Sequence, residues 1–246
     1  MNRSSTYAIM SLAFLLGGGS LLLLAAFLIV EPMGAVRLSL SEPQALAWDG
    51  VLCLLFFGQH SGMIRRGFRA RLSTWVPPHC EPAVYAIASG AVLTAVVLLW
   101  QTSSTTVFAL PGALRWLPRA FSALALGAFV WGVRALRVFD PFGRIALQAH
   151  RRGRSLSPMP LAVRGPYLWV RHPLYSSMLV LIWSVPDATR DRLLFNLLWT
   201  VWIVLGTRLE ERDLVADFGD RYRRYQQTVP MLVPWRGSAG RRLPAA

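Results

Sequence analysis

The sequence predicts an all-α, polytopic membrane bundle of about six apolar segments that ends in a helical hairpin. Three observations carry this. Hydrophobic residues make up 54% of the chain and charged residues only 15%, against about a quarter charged in soluble domains. The apolar residues come in blocks, as membrane spans do. The basic residues, all of them arginine, gather in alternate loops between those blocks. A net charge of +14 could suggest nucleic acid, but arginines that flank apolar blocks are the mark of cytoplasmic loops and exclude a groove-binding stripe.

The first block, Tyr7 to Val30, follows Arg3. It is too long for the apolar core of a signal peptide, about 7–15 residues, and no clear cleavage site follows, so it reads as a retained span of about 36 Å. Leu46–Ile64, Val84–Trp100 and Arg119–Val138 are the second to fourth segments. Leu174–Val185 is short, about 18 Å of helix, and crosses only with the help of its flanks. Pro186-Asp187 turns the chain and Leu193–Leu209 follows, which makes a tight antiparallel hairpin of segments five and six.

Loop charge sets the orientation. Residues 65–83 carry Arg65, Arg66, Arg69 and Arg71 against Glu81, and residues 139–173 carry six arginines against Asp140. The loop 31–45 has Arg37 against Glu31 and Glu42, and 101–118 has Arg115 alone. Both termini therefore belong on the cytoplasmic side, where Arg134 and Arg137 snorkel from the end of segment four. The expected organisation is 1–118 as N-terminal transmembrane helices, 119–235 as a core, and 236–246 as a disordered tail. Cys53 and Cys80 lack the spacing of a metal site, and no metal is expected.

This topology places residues 164–175, where segment five begins, beside residues 208–225, where segment six ends. Pro173 suits the first turn of a helix, whose positive end can receive a carboxylate. Glu210 and Glu211 leave a span in which each charge would cost about 2.5–3.5 kcal/mol at mid-membrane, so they belong at the interface, facing a partner. A ligand with a carboxylate, an ammonium, a ribose and an adenine matches this set: helix end, glutamate, aromatics. The rival reading takes Glu210 through Asp213 as a solvated, ion-paired helix end, and Arg221, Arg223 and Arg224 as headgroup contacts.

At these residues the chain resembles a family. Gly165-Pro166-Tyr167 through Val170-Arg171-His172-Pro173 and Tyr175, paired with Glu210-Glu211, Leu214, Phe218-Gly219, Tyr222, Tyr225 and Val229-Pro230, is similar to isoprenylcysteine carboxyl methyltransferases and related phospholipid N-methyltransferases. The stretch from Gln59-His60-Ser61 through Met63, Phe68, Val76-Pro77, Glu81, Tyr85 and Trp100, with Phe139-Asp140-Pro141-Phe142-Gly143, resembles the bacterial branch that contains methanethiol S-methyltransferase.

The resemblance implies an integral-membrane methyltransferase using S-adenosylmethionine at the cytoplasmic face of a bacterial inner membrane. It implies cofactor contacts from Tyr167, His172, Pro173, Leu174, Tyr175, Glu210 and Glu211, and from the stretch Met159 to Ala162, which includes Pro160, Leu161 and Ala162. Two departures bear on it: Ser176 and Ser177 stand where glycine is usual, and Gly206 stands where the prenylcysteine enzymes carry a substrate arginine. The expected acceptor is therefore a small thiol such as methanethiol, with dimethyl sulfide as product. The alternatives are carboxyl or amine methylation of a prenylcysteine or lipid, or a non-catalytic membrane homologue. A thiol ionises near pH 8.5 and gains from a base or a cationic field. His60 and Arg208 are the expected catalytic groups, with His172 a further candidate; His60 reads alternatively as a hydrogen-bonding partner of a neighbouring helix. The partners expected are this acceptor and the lipid bilayer, with no nucleic acid.

Overall fold

The structure, a computed structural model, describes residues 3–30, 35–136, 138–155 and 160–239. Glu31, Arg137, Met159 and the tail from residue 240 lie outside them. In chain order the helices are α1 (Arg3–Ala13), α2 (Gly19–Ile29), α3 (Glu42–Met63), α4 (Arg66–Leu72), α5 (Glu81–Leu99), α6 (Trp116–Ala135), α7 (Arg144–Arg151), α8 (Pro173–Trp183), α9 (Arg190–Phe218) and α10 (Asp220–Thr228). Two short strands, β1 (Thr106–Ala109) and β2 (Asp187–Thr189), pair with each other.

Each of the six apolar segments falls on a helix. Among the described residues, four helical stretches are long and apolar enough to cross a membrane: Ser4–Ile29, Glu81–Leu99, Gly112–Ala135 and Arg190–Phe218. α3 has the length, at 22 residues, but carries Glu42, Asp49, Gln59 and His60. α8 is only 11 residues, about 16 Å. Large apolar side chains on the long helices point outward, among them Leu15, Leu22, Trp116 and Leu124, as lipid-facing surfaces require. This is a multi-pass membrane protein.

The chain forms two compact units. The first comprises Met1–Val107, Asp140–Pro158 and Thr189–Phe195. Here α5 packs on α1, α2 and α3. Between α1 and α2, residues Phe14–Gly18 form a π turn, and Gly90 of α5 lies on it so closely that a Cβ would stand 2.4 Å from the Leu16 carbonyl oxygen. Trp100 packs edge to face on both Phe27 and Phe195, whose rings tilt against each other. The Arg192 guanidinium donates to the Phe27 and Leu28 carbonyls at 3.2 and 3.0 Å, a cation at the C-terminal end of α2. Asp191 accepts from Trp100 Nε1 at 2.9 Å, and Asp49 is fully buried and accepts from the Gln101 amide at 2.9 Å.

The second unit comprises Phe108–Phe139, Met159–Ala188 and Asn196–Ala246. α6 packs along α8, and Ser122 Oγ donates to the Ser184 carbonyl at 3.1 Å. Arg115 clasps Asp187 with both terminal guanidinium nitrogens, one at 2.7 Å. The helical hairpin is present. His172 meets Glu211 at one end of α8 and Trp183 Nε1 donates to Thr200 Oγ1 at the other, so an eleven-residue step on α8 matches an eleven-residue step back along α9.

Candidate functional site

Pro166, at the start of a 3₁₀ turn over Gly165–Leu168, and Pro173, first residue of α8, fix φ and remove an amide that would otherwise need a partner. Gly165 takes φ +57°, a conformation that costs a side-chain-bearing residue about 1–2 kcal/mol, and its backbone lies against Trp131 and Ala135. The turn buries Tyr167, and α8 starts with its positive end at His172 and Pro173.

The two stretches predicted to meet do so through Glu211. Its Oε1 accepts from Arg171 Nε at 2.6 Å and from the Tyr222 hydroxyl at 3.3 Å, and lies 3.2 Å from His172 Nε2. Its Oε2 accepts from Gln226 Nε2 at 3.1 Å. The Arg171 side chain, half of a largely buried ion pair with Glu211, also donates to the Gln226 and Val229 carbonyls. Beneath this knot Tyr222, Tyr225, Val229 and Ala239 form a buried cluster, against which Leu161, Val163, Leu214 and Phe218 pack. The Tyr225 hydroxyl donates to the Tyr167 carbonyl at 2.5 Å. The chain after α10 then crosses the start of α8: the Arg171 and His172 amides donate to the Pro230 and Met231 carbonyls, Ser176 Oγ donates to the Leu232 carbonyl at 2.7 Å, and the Ala239 amide donates to the Leu168 carbonyl at 2.8 Å.

Glu210 differs from its neighbour. Among the described residues it makes no hydrogen bond or ion pair, yet its charge reaches Tyr167. Burial, and after it the Glu210 charge, push the Tyr167 phenol up to about 12. Burial likewise raises Tyr222, helped by the Glu211 charge, and Tyr225. All three phenols stay neutral donors at physiological pH.

The sequence-predicted residues therefore separate. Tyr167, His172, Pro173, Leu174, Tyr175, Glu210 and Glu211 gather in the second unit, with the His172 and Tyr175 rings stacked at 5.8 Å between centroids. Leu161 turns into the tyrosine cluster, Ala162 is half-buried and Pro160 is exposed. Arg208 is exposed on α9. His60 belongs to the first unit, near the end of α3, where the Tyr85 hydroxyl lies 3.0 and 2.8 Å from its two ring nitrogens and Phe56 packs on the ring. Tyr222 and Gln226 were not assigned from sequence; their four-residue spacing, one face of a short helix, is the signal that marks them. Arg223 is explained otherwise, by an exposed ion pair with Asp220 at 2.9 Å.

The chain is 37% identical over 205 residues to methanethiol S-methyltransferase of Pseudomonas sp. (strain GM41(2012)), covering 79% of this chain and 75% of that one. It is 30% identical over 200 residues to methanethiol S-methyltransferase of Mycobacterium tuberculosis (strain ATCC 25618 / H37Rv), covering 78% and 79%.

The chain belongs to the methanethiol S-methyltransferase family.

Nurim of Mus musculus is also similar, 30% identical over 180 residues, with 69% of this chain and 68% of that one covered. No family model and no solved structure matches.

Proposed function

We propose that this protein is an S-adenosylmethionine-dependent methyltransferase of a bacterial inner membrane, with both termini cytoplasmic, that methylates methanethiol to dimethyl sulfide. The observation that carries this reading is the uncommitted Glu210 carboxylate, whose charge reaches Tyr167 in the turn before α8, on a chain whose relatives bear that enzyme's name. The residues fit the cofactor. The α8 N-terminus suits its carboxylate, Glu210 its ammonium or ribose hydroxyls, and Tyr175 with His172 its adenine. When bound, S-adenosylmethionine supplies an electrophilic methyl group.

What the protein must add is alignment and a dry environment, because the transfer is a direct displacement. Glu211 and Arg171 hold the start of α8 in place. Tyr167, kept neutral, adds no second negative charge beside Glu210. As the new carbon–sulfur bond forms and the donor's sulfonium–methyl bond breaks, the thiol proton goes to His60 as base, or to water where the cationic field of Arg208 favours the thiolate. Gly206 leaves no arginine for a prenylcysteine carboxylate, which favours a small thiol.

Cells expressing the protein and given methanethiol should release dimethyl sulfide above a vector control, measured by headspace gas chromatography. His60→Ala should lower that product more than it lowers cofactor binding. Release no greater than the control, from protein shown to be folded and membrane-inserted, would refute the assignment.

A further inference from the structure

Adjacent carboxylates on one helix point about 100° apart, so Glu210 and Glu211 face different surroundings. Both Glu211 oxygens are occupied, by Arg171, His172, Tyr222 and Gln226. A carboxylate has about four acceptor sites; three partners crowd Oε1, where a ligand would have to displace a largely buried guanidinium or phenol, and the Gln226 amide holds Oε2. Breaking such a pair leaves a charge unpaired in a low-dielectric site. Glu210 has no competing partner among the described residues, and its field falls on Tyr167 and Tyr222.

We propose that the two glutamates divide the work: Glu211 is a positioning residue that acts through Arg171 and His172, and of the two only Glu210 meets the cofactor. Glu211 ties three pieces together: the Arg171-His172 entry to α8, the end of α9, and α10 through Tyr222 and Gln226. The same arginine grips the Gln226 and Val229 carbonyls, so the clasp also fixes the chain whose Pro230, Met231 and Leu232 carbonyls bind the start of α8. Glu211 therefore sets where the positive end of α8 sits without touching what that end receives. This division rests on the S-adenosylmethionine reading above, but its structural half is visible in the ligand-free protein.

The test uses full-length protein in detergent, with three readouts: thermal midpoint without ligand, hydrogen–deuterium exchange of the peptide spanning 164–176, and S-adenosylmethionine affinity by calorimetry. Glu210→Gln should leave midpoint and exchange as in the parent and weaken affinity about ten- to a hundredfold, the loss of one charge-assisted hydrogen bond. Glu211→Gln should lower the midpoint and speed exchange at Arg171 and His172 before any ligand is added. Gln226→Ala, a milder variant should Glu211→Gln fail to fold, should reproduce these changes in smaller measure. In affinity its effect should be additive with Glu210→Gln and strongly non-additive with Glu211→Gln. Exchange and midpoint unmoved by Glu211→Gln, with an affinity loss as large as that of Glu210→Gln, would make Glu211 a ligand contact and overturn the division. Unchanged affinity in Glu210→Gln would overturn it from the other side. Absence of S-adenosylmethionine binding by the parent protein would instead overturn the cofactor reading, while the exchange result would still decide the role of Glu211.

Discussion

Gly165→Ala is the substitution that most sharply tests how the turn before α8 is built. At φ +57° an alanine pays about 1–2 kcal/mol in backbone strain. Its Cβ would also lie 3.3 Å from both Ala135 Cβ and Trp131 Nε1, on α6. That crowding is mild and belongs near the lower end of the overpacking range, about 1 kcal/mol. Together these give about 2–3 kcal/mol, or a drop of roughly 4–12 °C in unfolding midpoint for a chain of this size. Gly206→Ala is the matched control. Nothing lies within 4 Å of its Cβ position, and in a helix interior alanine is favoured by about 0.8–1 kcal/mol, so its midpoint should hold or rise. Fluorescence-detected thermal unfolding in detergent compares the two. A Gly165→Ala midpoint equal to the parent's, or an equal fall in both variants, would show that the positive-φ turn against α6 does not hold Tyr167 in place.

Other perturbations reach neighbouring parts of the molecule. Tyr225→Phe strips the donor from the buried Tyr167 carbonyl and should cost about 1–3 kcal/mol, read as a lower midpoint in chemical denaturation. The His79 and His150 rings stack face to face at 3.5 Å, and burial, with the His150 charge, lowers the His79 pKa below its usual 6.5. A base with a lowered folded pKa stabilises fully above the unfolded value, so thermal stability should decline as pH falls below about 6.5, and His79→Gln should flatten that slope. Reporter fusions after residues 40 and 236 should report opposite sides of the membrane; the same side for both would reverse the loop-charge reading.

The six segments were legible because hydropathy is a local property, and the meeting of residues 164–175 with 208–225 followed from one short turn between consecutive spans. Other features depend on distant partners. The π turn at Phe14–Gly18 is met by Gly90, distant in sequence, and buried Asp49 takes its hydrogen bond from the distant Gln101 amide. The glutamate pair was visible as a pair, but its division was not, since it depends on Tyr222 and Gln226 projecting from α10. Least visible was the crossing of α8 by residues 230–232, which bind through backbone carbonyls. Every residue has such a carbonyl, so side-chain identity left no trace of this contact.

The most direct measurement supplies purified protein with S-adenosylmethionine carrying an isotopic label in its transferable methyl group. Methanethiol, a farnesylcysteine analogue and a lipid amine are offered in parallel, and products are followed by mass spectrometry. The prediction is labelled dimethyl sulfide, formed in proportion to protein and reduced in Glu210→Gln at sub-saturating cofactor. Label appearing in the farnesylcysteine ester or the lipid amine, with none in dimethyl sulfide, would contradict it.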